Sequence, residues 1–124
     1  MLICVNLWRL KLSFPRSRRL TRTAEFQLVR EEGKLTRGNL VSVAIAAAPT
    51  ERERFRVGII TSRKVGSAVI RNRVRRRIRE IVRRHQHRIK SGIWMVIIAS
   101  VRASRASYAE LEHEWLRLAA RALS

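Results

Sequence analysis

From Leu40 to Ala48 the side chains alternate, with Val41, Val43 and Ile45 on one side and Ser42, Ala44 and Ala46 on the other. A period of two predicts a strand with one large apolar face and one small-residue face. Phe55 to Ser62 is a second β-rich run with Val57 and Ile59 pointing inward, after a polar turn over Pro49 to Arg54. Ile93 to Ser100 is continuously apolar, as expected of a strand buried on both faces.

Helical spacing appears in three places. Thr23 reads as an N-cap before Ala24, Phe26 and Val29, and Gly33 as the stop, giving a short helix with Glu31 and Glu32 at its exposed end. Ser107 and Glu110 form a capping box ahead of Leu111, Trp115, Leu118 and Ala122. Between the second run and the apolar one, Ile70, Val74, Ile78, Ile81 and Val82 recur at steps of four, four, three and one. They share one helix face, and at about 100° per residue the opposite face collects Asn72, Arg76, Arg79 and Arg83, flanked by Arg71, Arg73 and Arg75.

Charge turns this central helix into the segment that decides function. Arg63 to Lys90 holds twelve basic residues and one acid, Glu80. A charged helix face is ordinarily just solvated, but here almost no i,i+4 partner offsets the repulsion, so a polyanion is the expected counterpart. The whole chain of 124 residues repeats the bias: 28 Lys+Arg against 9 Asp+Glu give a formal charge of +19. Only Lys11, Lys34, Lys64 and Lys90 are lysine, and no residue is Asp. Guanidinium forks suit phosphate oxygens and base edges, and a GC-rich coding bias would also favour arginine. Six basic residues from Arg9 to Arg22, with no acid among them, read as a basic arm leading into the domain. At 46% apolar residues, one compact core is expected.

Several classes of chemistry are disfavoured. Cys4 is the lone cysteine, so neither an internal disulfide nor a cysteine zinc site is expected, in keeping with a cytoplasmic location. No apolar run is long enough to span a bilayer, and the apolar face of the central helix lacks Trp and Phe, so a membrane partner is not expected. His85 and His87 are two apart, hence on different faces, and His113 sits in the last helix; no metal site and no catalytic residue are expected. Trp94, Trp115 and Tyr108 fall in core-like patterns. Residues 1–13 read as an extension without fixed order, and residues 14–124 as the single domain. RNA and DNA remain open on composition, since counterion release drives binding to either. DNA binding would call for helix-turn-helix spacing or a symmetric dimer surface, and neither is visible.

The stretch Arg56-Val57-Gly58-Ile59-Ile60-Thr61-Ser62-Arg63-Lys64-Val65-Gly66-Ser67-Ala68-Val69-Ile70-Arg71-Asn72-Arg73-Val74-Arg75-Arg76-Arg77-Ile78-Arg79-Glu80 closely resembles the signature of the bacterial ribonuclease P protein family. Its hallmark is the triplet Arg71-Asn72-Arg73, preceded by Ser-x-Lys-x-Gly. Leu20 to Phe26 and Ser107 to Glu112 also resemble that family, and the likeness runs from Phe14 to Leu123. It implies an α+β fold, a small two-layer αβββαβα sandwich with a left-handed β-α-β crossover, an exception to the usual handedness. The pattern gives only two clear strands before the central helix, so that order implies a third, short strand near Leu35 to Arg37.

The resemblance also implies an accessory subunit of an endoribonuclease. The ribonuclease P RNA would carry the chemistry with Mg²⁺ that it holds, and the protein would bind that RNA and the 5′ leader of precursor tRNA. It places Arg71, Asn72, Arg73, Arg75, Arg76 and Arg79, with Ser62 and Lys64 beside them, on the RNA-facing side. Asn72 is expected to use donor and acceptor together, and Phe26 to stack on a leader base or to serve the core of its short helix. The sequence departs from the family at Arg30 and Ala44, where aromatics are frequent, so leader contacts are expected to be more electrostatic. The competing reading is a structural, ribosomal-type RNA-binding protein with no role at a reaction.

Overall fold

A computed structural model of the chain describes residues 19–49 and 55–123. The expected extension over 1–13, the start of the basic arm and most of the polar turn lie outside the described residues. The elements run α1 (Thr23–Glu32), β1 (Lys34–Arg37), β2 (Val41–Ala47), β3 (Arg56–Ile60), α2 (Ala68–His85), β4 (Ile93–Ala99) and α3 (Tyr108–Ala122). Short 3-10 turns occupy Arg63–Val65, Gln86–Arg88 and Val101–Arg105. The order is the expected αβββαβα.

One four-stranded sheet carries the fold in the order β1-β2-β4-β3. β1 and β2 are antiparallel, as are β2 and β4, while β3 and β4 are parallel. The parallel pair is joined through α2, because parallel neighbours need a long crossover rather than a hairpin. The alternation of β2 sets the register: Val43 lies opposite Ile97, and Ala44 opposite Val96. Val41, Val43, Val57, Met95 and Ile97 therefore line one face, where Val74, Ile78, Ile81 and Val82 of α2 and Leu111, Trp115 and Leu118 of α3 cover them. The sheet and these two helices make the two-layer body. On the sheet's other face, Ala44, Ala46, Trp94 and Val96 meet Leu20 and Val29, with Phe26 and Leu28 packed against them. Small residues on that side of β2 let α1 approach closely. Ala44 is fully covered there, and Arg30 is exposed.

Trp94 and Trp115 are buried and Tyr108 is half-buried, so all three serve packing as expected. One detail departs from the sequence reading. The N-cap of α1 is Arg22 rather than Thr23, which is the first helical residue. The cause is Glu25, whose Oε1 accepts from the N–H groups of Thr21 (3.0 Å) and Arg22 (2.9 Å) and so fixes the chain one residue earlier.

The other informative carboxylate is Glu114 of α3, buried at 6% exposure. It accepts hydrogen bonds from the backbone N–H groups of Asn39 (2.9 Å), Leu40 (2.6 Å) and Val41 (2.9 Å). Three backbone donors of the β1–β2 connection, that of Val41 buried, end on one side chain, with Arg117 3.5 Å away. Glu114→Ala should lower stability by about 2–4 kcal/mol in urea unfolding, with Glu114→Gln falling between. A loss under about 0.5 kcal/mol would show that water replaces the carboxylate without penalty and that the hairpin does not depend on it.

Candidate nucleic-acid interface

β3 ends at Ile60 and delivers Thr61, which is buried, to the root of the basic segment. The chain then turns through Ser62 and the 3-10 turn to Gly66, at φ +150°. A side chain is disfavoured at that angle, and a Cβ there would sit 3.0–3.1 Å from Ile70. Ser67 caps α2 by accepting from the Ile70 N–H at 3.4 Å. The apolar stripe is buried as the spacing predicts, apart from Ile70, which is half-buried.

The arginines of α2 do not form one uniform plate. Arg75 Nη2 donates to the Thr61 hydroxyl at 2.6 Å, and Nη1 to Asn72 Oδ1 at 3.2 Å. Asn72 is thus held with its Oδ1 toward Arg75, which leaves its amide NH2 without a partner among the described residues. Arg73 Nη2 and Arg77 Nη1 fold the other way, onto the carbonyls of Ser104 (3.3 Å) and Ala106 (2.8 Å). Arg83 is taken by Glu80 in an ion pair that holds the carboxyl below its usual range, although burial opposes this. Arg76, Ser62 and Lys64 are exposed, and Arg71 is half-buried with its Nε lacking a hydrogen-bond partner among the described residues.

A groove runs along the outer edge of β3, lined by Arg19, Leu20, Phe26, Val57, Gly58, Ile59, Arg75 and Arg79. Arg19 and Leu20 close it from outside. Arg19 forms a parallel bridge with Val57, and the Leu20 N–H donates to the Val57 carbonyl at 3.0 Å. Three arginines and a half-buried aromatic ring line the same groove, and no lining residue among those described is acidic. Burial, then the neighbouring charges of Arg19 and Arg75, pull Arg79 below the usual guanidinium value. It stays protonated at neutral pH, so the groove holds a concentration of positive charge that an anion would relieve.

The neighbouring cation Arg56 is differently employed. It pairs with Glu25 at 3.0 Å and lies 5.7 Å from the centroid of the Trp94 ring. Burial raises the Glu25 carboxyl, but the Arg22 and Thr21 N–H groups and Arg56 outweigh it and hold the group below its ordinary value. Glu25 thereby fastens α1 to the edge of β3 and sets the position of Phe26 one residue on.

The structure therefore brings together Phe26, Arg75 and Arg79, keeps Asn72 and Arg76 beside them on the outward side, and sets Arg73 on the opposite flank. Thr61, Gly58 and Arg19 were not singled out as site residues by sequence reasoning. For Gly58 a signal existed: it falls between inward-facing Val57 and Ile59, and a strand glycine marks a close approach. A Cβ at Gly58 would lie 2.4 Å from Phe26 Cε1 and 2.6 Å from Cζ. Of the histidines, His85 lies 3.0 Å from Glu112 through Nε2 and tilts against Trp115, while His87 and His113 are exposed. Among the described residues no three His, Cys, Asp or Glu side chains gather as a metal site.

Known proteins share this fold. The sequence model of the family described as Ribonuclease P matches residues 14–123. The chain is 36% identical over 107 residues to the ribonuclease P protein component of Acidothermus cellulolyticus, covering 86% of this chain and 89% of that one. It is 37% identical over 94 residues to the component from Bacillus cereus, with 76% and 81% covered. The solved RNase P protein of Thermotoga maritima superposes with a TM-score of 0.73 at 30% identity, over 83% of this chain and 96% of that one. That of Staphylococcus aureus gives 0.74 at 27%, over 82% and 91%.

The close approach at Gly58 makes a specific demand. Gly58→Ala should push the Phe26 ring toward solvent and cost about 1–3 kcal/mol in thermal or urea unfolding, with a changed environment for the ring protons of Phe26. Unchanged stability and ring shifts would mean that Phe26 is not seated on Gly58.

Proposed function

Because the chain belongs to the ribonuclease P protein family, we propose that it binds the RNA subunit of that endoribonuclease through the outward side of α2. The groove at the edge of β3 takes the 5′ leader of precursor tRNA. The carrying observation is that Arg19, Arg75 and Arg79 line one groove with Phe26, with no acidic residue among the described lining. A single-stranded leader supplies what this groove lacks: phosphates for the guanidinium groups and a base face for the ring. Thr61 holds Arg75 in place, and Arg75 in turn orients Asn72 as a donor toward a phosphate, ribose or base oxygen.

The protein's part is binding and orientation, and it places no acid, base or nucleophile at the scissile bond. Magnesium is assigned to the RNA subunit. Among the described residues the groove offers no carboxylate pair for a divalent cation, its guanidinium groups would repel one, and Glu25 is already committed to Arg56 and backbone donors. Ser62, Lys64, Arg71, Arg73 and Arg76 complete the contact with the RNA subunit. No described helix is long and apolar enough to cross a membrane, and the cytoplasm is the proposed location.

The test is binding of precursor tRNA with and without its leader to the protein–RNA complex across a range of salt. Arg75→Ala/Arg79→Ala should weaken binding of the leader-bearing substrate and reduce its logarithmic salt slope by about 1.5, with little change for mature tRNA. Equal weakening of both substrates would place these arginines against the RNA subunit instead of the leader. No binding difference with either substrate would remove the groove from the RNA interface altogether.

A further inference from the structure

The two edges of the sheet differ. Arg19 and Leu20 shield β3, whereas β1, at the other end of the order β1-β2-β4-β3, has no strand outside it among the described residues. An open edge presents unpaired N–H and C=O groups, which pair readily with another chain. Hydrogen-bond parity fixes which residues of β1 carry them. In an antiparallel ladder the N–H and C=O of one residue point to the same neighbour, and the direction alternates along the strand. At the two ends of the β2–β4 pairing, the Ser100 N–H donates to the Leu40 carbonyl (2.9 Å) and the Ala48 N–H to the Gly92 carbonyl (2.8 Å). Even-numbered residues of β2 therefore face β4, and odd-numbered ones face β1, where Val43 lies opposite Thr36 and Ile45 opposite Lys34. Lys34 and Thr36 are thus used inward, and the backbone groups of Leu35 and Arg37 point outward.

The side chains at this edge also lack partners. Leu35 and Arg37 lie opposite Ala44 and Ser42, hence on the face of the sheet that carries α1. Leu35 is one of three large apolar side chains exposed among the described residues, at 43%. Arg37 is exposed, as are Glu31 and Glu32 at the C-terminal end of α1, and none of the three has a side-chain hydrogen bond or ion pair among the described residues. The helix dipole disfavours two acids at that end, so a cation is wanted there.

We propose that two copies of this chain pair through β1, antiparallel about a two-fold axis at Leu35. Outward-pointing residues meet outward-pointing residues, so Leu35 lies opposite its own copy and Gly33 opposite the partner's Arg37. The partner's Arg37 is thereby brought beside Glu31 and Glu32, once on each side of the axis. Lys34 meets the partner's Thr36. A register shifted by one would set Lys34 against the partner's Arg37, and the same parity excludes it. The net charge of +19 opposes self-association. The groove arginines, however, lie at β3, three strand spacings or about 14 Å from β1, beyond the Debye length of about 8–10 Å at 0.1–0.15 M salt. A four-residue edge makes a contact well below the roughly 1,600 Å² of a standard interface, so the pairing is reversible and depends on concentration. In the pair, each groove stays open at an outer edge of the joined sheet.

The experiment is sedimentation equilibrium of the full-length chain over a range of concentrations, with circular dichroism to check that each variant folds. The unaltered chain should form a dimer. Arg37→Glu and Glu31→Lys/Glu32→Lys should each weaken it about tenfold, and the three changes together should restore it. Arg37→Glu lowers the positive charge of the chain, so a contact governed by general repulsion would be strengthened by it instead. Leu35→Cys, in a chain with Cys4→Ala, should give a disulfide-linked dimer on mild oxidation, since opposite residues of a hydrogen-bonded pair stand about 5.5 Å apart at Cα. A monomer at every concentration, or a dimer that neither charge change alters, would overturn the proposal. So would a dimer found only with RNA bound and indifferent to the charge changes. Loss of RNA binding by Arg37→Glu without any change in mass would give this edge to RNA and overturn the pairing as well.

Discussion

Val74, Ile78, Ile81 and Val82 hold against the sheet a helix that would not form well by itself. α2 carries eight arginines and one glutamate over eighteen residues. Arg71–Arg75, Arg73–Arg77, Arg75–Arg79 and Arg79–Arg83 are like-charge pairs at i,i+4, each costing a few tenths of a kcal/mol in an exposed helix. Full burial of the four aliphatic side chains contributes about 1.5–3 kcal/mol apiece, so the apolar stripe outweighs the repulsion by a wide margin. The fold can therefore keep a polycation on its surface in fixed geometry, and the β3-α2-β4 crossover places that surface beside the edge of the sheet.

Where the few acids go decides which cations remain available. Glu25 serves Arg56 and two backbone donors, Glu80 serves Arg83, Glu112 lies against His85, and Glu114 closes the β1–β2 connection. Each carboxylate ties one element to another or a helix to itself. Among the described residues none of them lines the groove that holds Arg75 and Arg79. The described carboxylates that stabilise the fold are thus separated in space from the arginines of the groove. Phe26 adds the apolar half of the groove because Gly58 leaves room beneath its ring.

Much of this was legible in the sequence because it rests on periodicity. The alternation of β2, the unbroken apolar run of β4, the three-four spacing of α2 and the Ser107–Glu110 capping box all reappear in place. The short strand expected near Leu35 to Arg37 is β1, one residue longer at its start. What could not be read are contacts between distant residues. Arg19 against Val57, Thr61 beneath Arg75 and Glu114 on the N–H groups of Asn39, Leu40 and Val41 depend on how elements pack. The split of the α2 arginines into two flanks belongs to the same class. Helical angle separated Arg73 from Arg75, but only the fold shows that the 3-10 turn lies beside Arg73 and a hydroxyl beneath Arg75.

The central claim is that this chain assists an RNA that performs the chemistry. It is tested most directly by cleavage of precursor tRNA at low magnesium by a bacterial ribonuclease P RNA, with and without the protein. The account predicts that the protein restores cleavage at the mature 5′ end under conditions where the RNA alone is inactive. Binding of the RNA without any gain in cleavage would contradict it and would mark the chain as a structural RNA-binding protein.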